Sequence, residues 1–319
     1  MRIPKLRALI LSMLIAVVLY LLAAIASDLE AIGSILSRLG VWELSLIFGL
    51  SLLNYALRFI RWHGYTRALG HAVPMTANLV YYLAGFAFTV TPGKTGEAVR
   101  SLYLKPHGMS YPESLAAFFT ERLLDLMAMI FLSVLVMSQV QGYGWLIIAA
   151  AVIIIGATLA LRHLPLLERL QALIVDWIAA PRLKQLTAHL FALLRSAAAL
   201  LRTRILYAGL VLSLVAWGAE GIALYYILIF IGLDFAMPTA VGIYAISVLA
   251  GALSFIPGGL GGTEAVMGFL LISAGADPAS AVAATLICRI ATLWFAVVIG
   301  ILAMAGLEMR KRSGVRIAE

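Results

Sequence analysis

Thr91-Pro92-Gly93-Lys94-Thr95-Gly96-Glu97 and Phe255-Ile256-Pro257-Gly258-Gly259-Leu260-Gly261-Gly262-Thr263-Glu264 each cut short a strongly apolar stretch. Proline cannot donate to a helix ladder, and glycine admits dihedrals closed to other residues. Each sequence therefore ends a helix and frees backbone polar groups. The surroundings match in order as well. Ala72-Val73-Pro74-Met75-Thr76-Ala77 opens the first stretch and Ala236-Met237-Pro238-Thr239-Ala240 opens the second. Tyr111-Pro112-Glu113-Ser114 follows one break and Asp277-Pro278-Ala279-Ser280 the other, each leading into a long run that carries an arginine, Arg122 or Arg289. Pro74 and Pro92 lie 18 residues apart, Pro238 and Pro257 lie 19 apart. Four landmarks in one order at one spacing argue for an internal duplication.

Away from the breaks the chain is written for lipid. Of 319 residues, 63% are hydrophobic and 12% charged, too few polar groups to cover a globular surface. The apolar runs are about 20 residues long and lack the alternation of barrel strands, so the fold class is an all-α polytopic membrane protein. About six full spans are expected, at 8–26, 44–60, 114–136, 145–161, 205–231 and 279–305, with two further helices at 76–91 and 239–256 running into the breaks. The first run follows Arg2, Lys5 and Arg7 and ends in Ala24-Ile25-Ala26, which resembles a signal-peptidase site. It is longer than the apolar core of a signal peptide and is read as a retained span. The chain divides into a first span and outer loop (1–40), a first repeat (41–140), a span with an amphipathic connector (141–204), a second repeat (205–306) and a basic tail (307–319).

Charge sets the orientation. The net charge of +8 resides in juxtamembrane segments, which suits anionic headgroups better than nucleic acid. The N-terminus, a loop with Arg58, Arg61 and Arg67, the connector 162–204 with seven basic and two acidic residues, and the tail with Arg310, Lys311, Arg312 and Arg316 are all placed in the cytoplasm. Leu166, Leu170, Leu173 and Trp177 recur at helical spacing in that connector, as in a helix lying on a membrane surface. With these assignments the first broken hairpin enters and leaves on the cytoplasmic side and the second on the outer side. The expectation is an inverted repeat with two oppositely directed re-entrant hairpins, whose breaks at Pro92, Gly93 and Gly96 and at Pro257, Gly258, Gly259, Gly261 and Gly262 meet around a polar cavity.

Ionisable residues in an apolar zone cost about 2.5–3.5 kcal/mol each on insertion scales, so each needs a partner or a task. Lys94, Glu97 and Arg100 stand at the first break. Glu121, Arg122 and Asp125 stand on the following span, with Glu121 and Asp125 one turn apart on one face. Glu264 and Arg289 are the counterparts in the second half. These eight are the candidate ligands of a charged headgroup, the arginines for phosphate oxygens and the carboxylates for a cationic or hydroxyl-bearing part. The plain alternative is that they only pair, for instance Glu97 with Arg289 or Glu264 with Arg122. Glu220 or Asp125 would serve as a proton carrier if movement were coupled to an ion gradient. Gly93-Lys94-Thr95 resembles the end of a phosphate-binding loop, but Phe88 occupies the position of its first glycine. His63, His71, His107, His163 and His189 lack metal-ligand spacing, and the single cysteine, Cys288, lies among apolar neighbours. No metal, cofactor or nucleotide site is expected.

The two break sequences, with Glu121-Arg122-Leu123-Leu124-Asp125 between them, resemble the lysylphosphatidylglycerol synthase transmembrane family over almost the whole chain. That family includes the flippase half of the multiple peptide resistance factor and shorter, UPF0104-type membrane proteins. The resemblance implies flipping of aminoacylated phosphatidylglycerol or a related lipid, and for relatives of this length also polyprenyl-linked or hopanoid lipids. The chain ends at Glu319 without a synthase domain, so the expectation is a lipid translocator of the bacterial inner membrane that is not an enzyme. The competing readings are a scaffold whose basic connector docks a lipid-modifying enzyme, and an intramembrane transferase. Lipid is the expected partner in every case.

Overall fold

The computed structural model describes residues 39–91, 97–136, 144–177, 180–254 and 256–312. Among them every regular element is helical. In order these are α1 (Val41–Ala68), α2 (Met75–Phe86), α3 (Arg100–Leu104), α4 (Tyr111–Ser133), α5 (Gly144–Arg162), α6 (Leu164–Trp177), α7 (Pro181–Leu200), α8 (Thr203–Phe230), α9 (Met237–Leu253), α10 (Gly262–Ser273), α11 (Pro278–Arg289) and α12 (Phe295–Arg312). A π-helical segment, Ile290–Trp294, joins α11 to α12 without a break. Among the described residues three helices are long and apolar enough to cross a membrane: α1, α8 and the continuous run Pro278–Arg310. The expected first span at 8–26 lies outside the described residues.

The expected span at 44–60 is too short. α1 runs on through Ala68, so Arg58 and Arg61 are not loop residues. Ser51, Asn54, Arg58, Arg61 and Tyr65 fall three or four apart on one face and are all buried. Leu52, Leu53 and Ile60 on the other faces are 49%, 43% and 50% exposed. The helix is inside out, polar toward the protein and apolar toward its surroundings. It ends at Gly70, whose φ of 89° suits only glycine, with the His71 amide bonded back to the Thr66 carbonyl.

The long helices of both halves begin alike. Ser110 caps α4 in a reciprocal box with Glu113, and Asp277 caps α11 by accepting the Ser280 amide at 2.9 Å. A proline follows each cap in the first turn, where its missing N–H costs nothing. α2 loosens before its proline: Ala87, Phe88 and Thr89 bond to carbonyls three residues back. Pro92, Gly93, Lys94 and Gly96 lie outside the described residues. At the second break Pro257–Gly259 forms one tight turn, and Gly258, Gly259 and Gly261 have φ of 66°, 66° and 83°. A side chain at any of the three would be strained. Gly262 opens α10 with helical geometry.

Helix packing is exchanged between halves. α1 packs along α8; α2 packs on α12 of the second half, and α9 packs on α4 of the first. Gly300 of α12 sits so close to the backbone of Phe86 and Ala87 that a Cβ would collide with it, and Gly242 of α9 meets Val136 in the same way. Two large apolar cores result, one around α1, α2, α7 and the start of α4, the other around α8 to α11. A third, small cluster joins Val90, just before the first break, to Leu260 in the second, with Leu293 and Val297. The end of the helical run before the first break therefore packs on the second break. The connector is two helices, α6 and α7. α7 departs from the surface-lying expectation, because Phe191, Ala197, Leu200 and Leu201 are buried and α7 packs against α4.

Candidate functional site

The charged residues of α4 meet those of α1 and the first break in one network. Glu121 is fully buried. It accepts from Arg100 Nη1 at 3.0 Å and from the Tyr82 hydroxyl at 3.0 Å, with Arg61 Nη2 3.2 Å away. Asp125, one turn on, pairs with Arg61 Nη1 at 2.8 Å and with Arg122 Nη2 at 3.2 Å. Glu97 holds the other side of the Arg100 guanidinium and accepts from the Thr89 hydroxyl at 3.0 Å. The Arg100 guanidinium lies 4.6 Å from the Trp62 ring centre and 4.4 Å from that of Tyr82. Gly85 makes room for it, since a Cβ there would press on Arg100. Removing one partner from such a buried set leaves charge uncompensated, at a cost of about 3–5 kcal/mol.

The second half has a smaller device. Arg289 Nε donates to Glu264 at 2.6 Å and Nη2 donates to the Gly258 carbonyl at 2.7 Å. The other oxygen of Glu264 accepts the Gly261 amide at 2.8 Å. One arginine and one carboxylate thus fasten both sides of the Pro-Gly break, satisfying backbone groups that the break set free. Glu97 pairs with Arg100 and lies 3.8 Å from Arg122 Nη2, and Glu264 pairs with Arg289.

Between the two large cores lies a cavity of about 320 Å³, within the size range of small-ligand sites. Arg58, Arg122, Asp125, Glu220 and Arg289 line it, together with Tyr55, Phe86, Trp217 and Tyr244. Glu220 accepts a hydrogen bond from the Tyr244 hydroxyl. At the rim stand Phe119, Leu253 and Ile256, which are 49%, 64% and 44% exposed. The cavity thus couples a charged interior to an apolar mouth.

The structure sorts the eight sequence candidates. Arg122, Asp125 and Arg289 face the cavity, and Glu220 joins them. Glu97, Arg100 and Glu121 are sealed at 1%, 1% and 0% exposure and stand behind the wall. Glu264 holds Arg289, while Lys94 lies outside the described residues. Of the breaks, Gly258 and Gly259 line the cavity. Two important residues were missed, Arg58 and Arg61. Their signal was available in the spacing of Asn54, Arg58, Arg61 and Tyr65, which marks one polar helix face.

A family model for the lysylphosphatidylglycerol synthase TM region matches residues 9–300, with both breaks and the α4 charges inside the match. The chain belongs to this family. Among curated relatives it is similar to a UPF0104 membrane protein of Methanothermobacter thermautotrophicus, at 26% identity over 78% of this chain and 80% of the relative. It is also similar to a UPF0104 membrane protein of Pyrococcus horikoshii, at 29% identity over 31% of this chain and 30% of that one. Family membership and the three apolar spans make this a multi-pass membrane protein.

Proposed function

We propose that this family member is a lipid translocator of the cytoplasmic membrane, without enzymatic activity of its own, which passes a headgroup through the charged cavity while the acyl chains stay in lipid. The observation that carries the reading is the joining of buried arginines and carboxylates to an exposed apolar mouth in one cavity. A soluble ion needs no apolar mouth, and a sealed structural network needs no cavity. Two oppositely directed re-entrant hairpins, about six spans and cytoplasmic termini complete the proposal. The contact of Val90, just before the first break, with Leu260 in the second and the exchanged helix packing support it, because inverted repeats bring broken helices together at a central site. The favoured cargo is a phospholipid such as aminoacyl-phosphatidylglycerol: the arginines suit its phosphate, and Asp125 and Glu220 suit an ammonium or hydroxyl group.

Leaflet exchange in proteoliposomes tests this, with headgroup-labelled phosphatidylglycerol and lysyl-phosphatidylglycerol quenched from outside. The protein should speed exchange above protein-free vesicles, and Arg122→Ala should return it to background at undiminished expression. If neither lipid moves faster with the wild-type protein, the phospholipid assignment falls and polyprenyl-linked or hopanoid cargo takes its place.

A further inference from the structure

We propose that Glu220 is a proton-binding residue, taking up and releasing a proton against the Tyr244 hydroxyl, and that this proton couples lipid movement to a proton gradient. The proton site stands on the geometry alone, while the coupling rests on the translocator reading. After Arg204 in the first turn, Glu220 is the one charged residue of α8. It stands ten residues before the helix ends, about 15 Å in. A carboxylate at that depth is expensive and calls for a task. Glu220 is 3% exposed and lines the cavity. Its hydrogen-bond partner is built in by close packing. Gly221, the next residue, lies so near α9 that a Cβ there would come within 3.0 Å of the Val241 backbone. That approach sets Tyr244, one turn further along α9, beside Glu220, and its hydroxyl donates to the carboxylate. A phenol hydroxyl both donates and accepts, so the bond survives when the carboxyl takes up a proton and becomes the donor.

The other carboxylate of the lining, Asp125, is unsuited to the same task. It stands 2.8 Å from Arg61 Nη1 and 3.2 Å from Arg122 Nη2, and a proton there would take the counter-charge from both arginines. The titratable and charged groups around Glu220 come from the four helices packed on α8: Tyr55 and Arg58 from α1, Arg122 and Asp125 from α4, Tyr244 from α9, and Cys288 and Arg289 from α11. Arg289 holds Glu264 and the Gly258 carbonyl, Arg122 holds Asp125, and Arg58 stands 3.8 Å from Glu121 and 4.0 Å from Asp125. α8 thus touches helices of both halves, and a charge that comes and goes at Glu220 does so on the seam between them. On release the proton passes to water in the cavity, and the carboxylate again accepts from Tyr244.

Infrared difference spectroscopy of the detergent-solubilised protein reads the proton directly. Wild type should show a buried carboxylic-acid C=O band, above the frequency of solvated carboxyls, that grows as the pH is lowered. The band should be missing from Glu220→Gln and should persist at a shifted frequency in Tyr244→Phe, which lacks the hydroxyl partner. A wild type without such a band overturns the proton site, and so does a band that Glu220→Gln retains unchanged. Coupling is read in proteoliposomes with headgroup-labelled phosphatidylglycerol. Under a gradient of about one pH unit, wild type should enrich the label in one leaflet, by up to about tenfold for one proton per lipid. The enrichment should vanish in Glu220→Gln. Equal labelling of both leaflets by a wild type that exchanges lipid overturns the coupling. A wild type that shows the band and exchanges no lipid leaves the proton site standing and removes the translocator.

Discussion

The two breaks solve one problem with different amounts of charge. At the second, Arg289 and Glu264 satisfy the freed backbone directly, through the Gly258 carbonyl and the Gly261 amide. At the first, Glu97 and Arg100 are drawn into a network with Glu121, Asp125, Arg61, Arg58 and Arg122, which reaches α1 and α4. The contrast is one ion pair against a network that ties seven charged side chains together. If both halves descend from one sequence, one kept a single fastening pair and the other built a wider charged network around it.

Three substitutions probe that contrast, in order of expected effect. Glu121→Gln should be the most damaging, costing about 3–5 kcal/mol, because Arg61 and Arg100 then lose their shared counter-charge in a sealed site. A sharp fall in melting temperature and in monodisperse yield in detergent would show it; an unshifted melting curve would mean the network is decorative. Glu264→Gln should cost about 1.5 kcal/mol, since the amide offers one oxygen to the two donors, Arg289 Nε and the Gly261 amide, that the carboxylate serves with two. Thermal unfolding should register a modest loss and leaflet exchange should slow, because Arg289 lines the cavity. A loss as large as that of Glu121→Gln would erase the proposed division of labour. Tyr55→Phe should be mildest, about 1 kcal/mol, as it deletes only the 2.7 Å bond from its hydroxyl to the Thr292 carbonyl in the π segment. Hydrogen exchange at residues 290–296 should rise in that variant, and unchanged protection there would show that α1 does not brace the segment.

Much of the helix order was legible because lipid-facing helices are apolar over fixed lengths. The runs at 205–231 and 279–305 match α8 and the Pro278–Arg310 run within a few residues. The error at 44–60 came from the same rule: hydropathy drops at Arg58 and Arg61, yet the helix continues because those residues point into the protein. The site was half legible. Glu121, Arg122 and Asp125 stand out as charges in an apolar helix, but which of them faces a cavity depends on neighbours from α1 and α8, over 60 residues away in either direction.

The sequence by itself determined the solvent, the helix-breaking points and the residue types that would be buried at a cost. Those follow from local chemistry: hydropathy, the missing N–H of proline, the freedom of glycine and the expense of a charge in lipid. Only the tertiary structure decided the partners. Exchange of α2 and α9 between halves brings Val90 against Leu260, and the packing of α1, α3 and α4 seals Glu121 among four arginines. A charge in a sequence says that a partner must exist; distance and direction, which packing alone supplies, say which one it is.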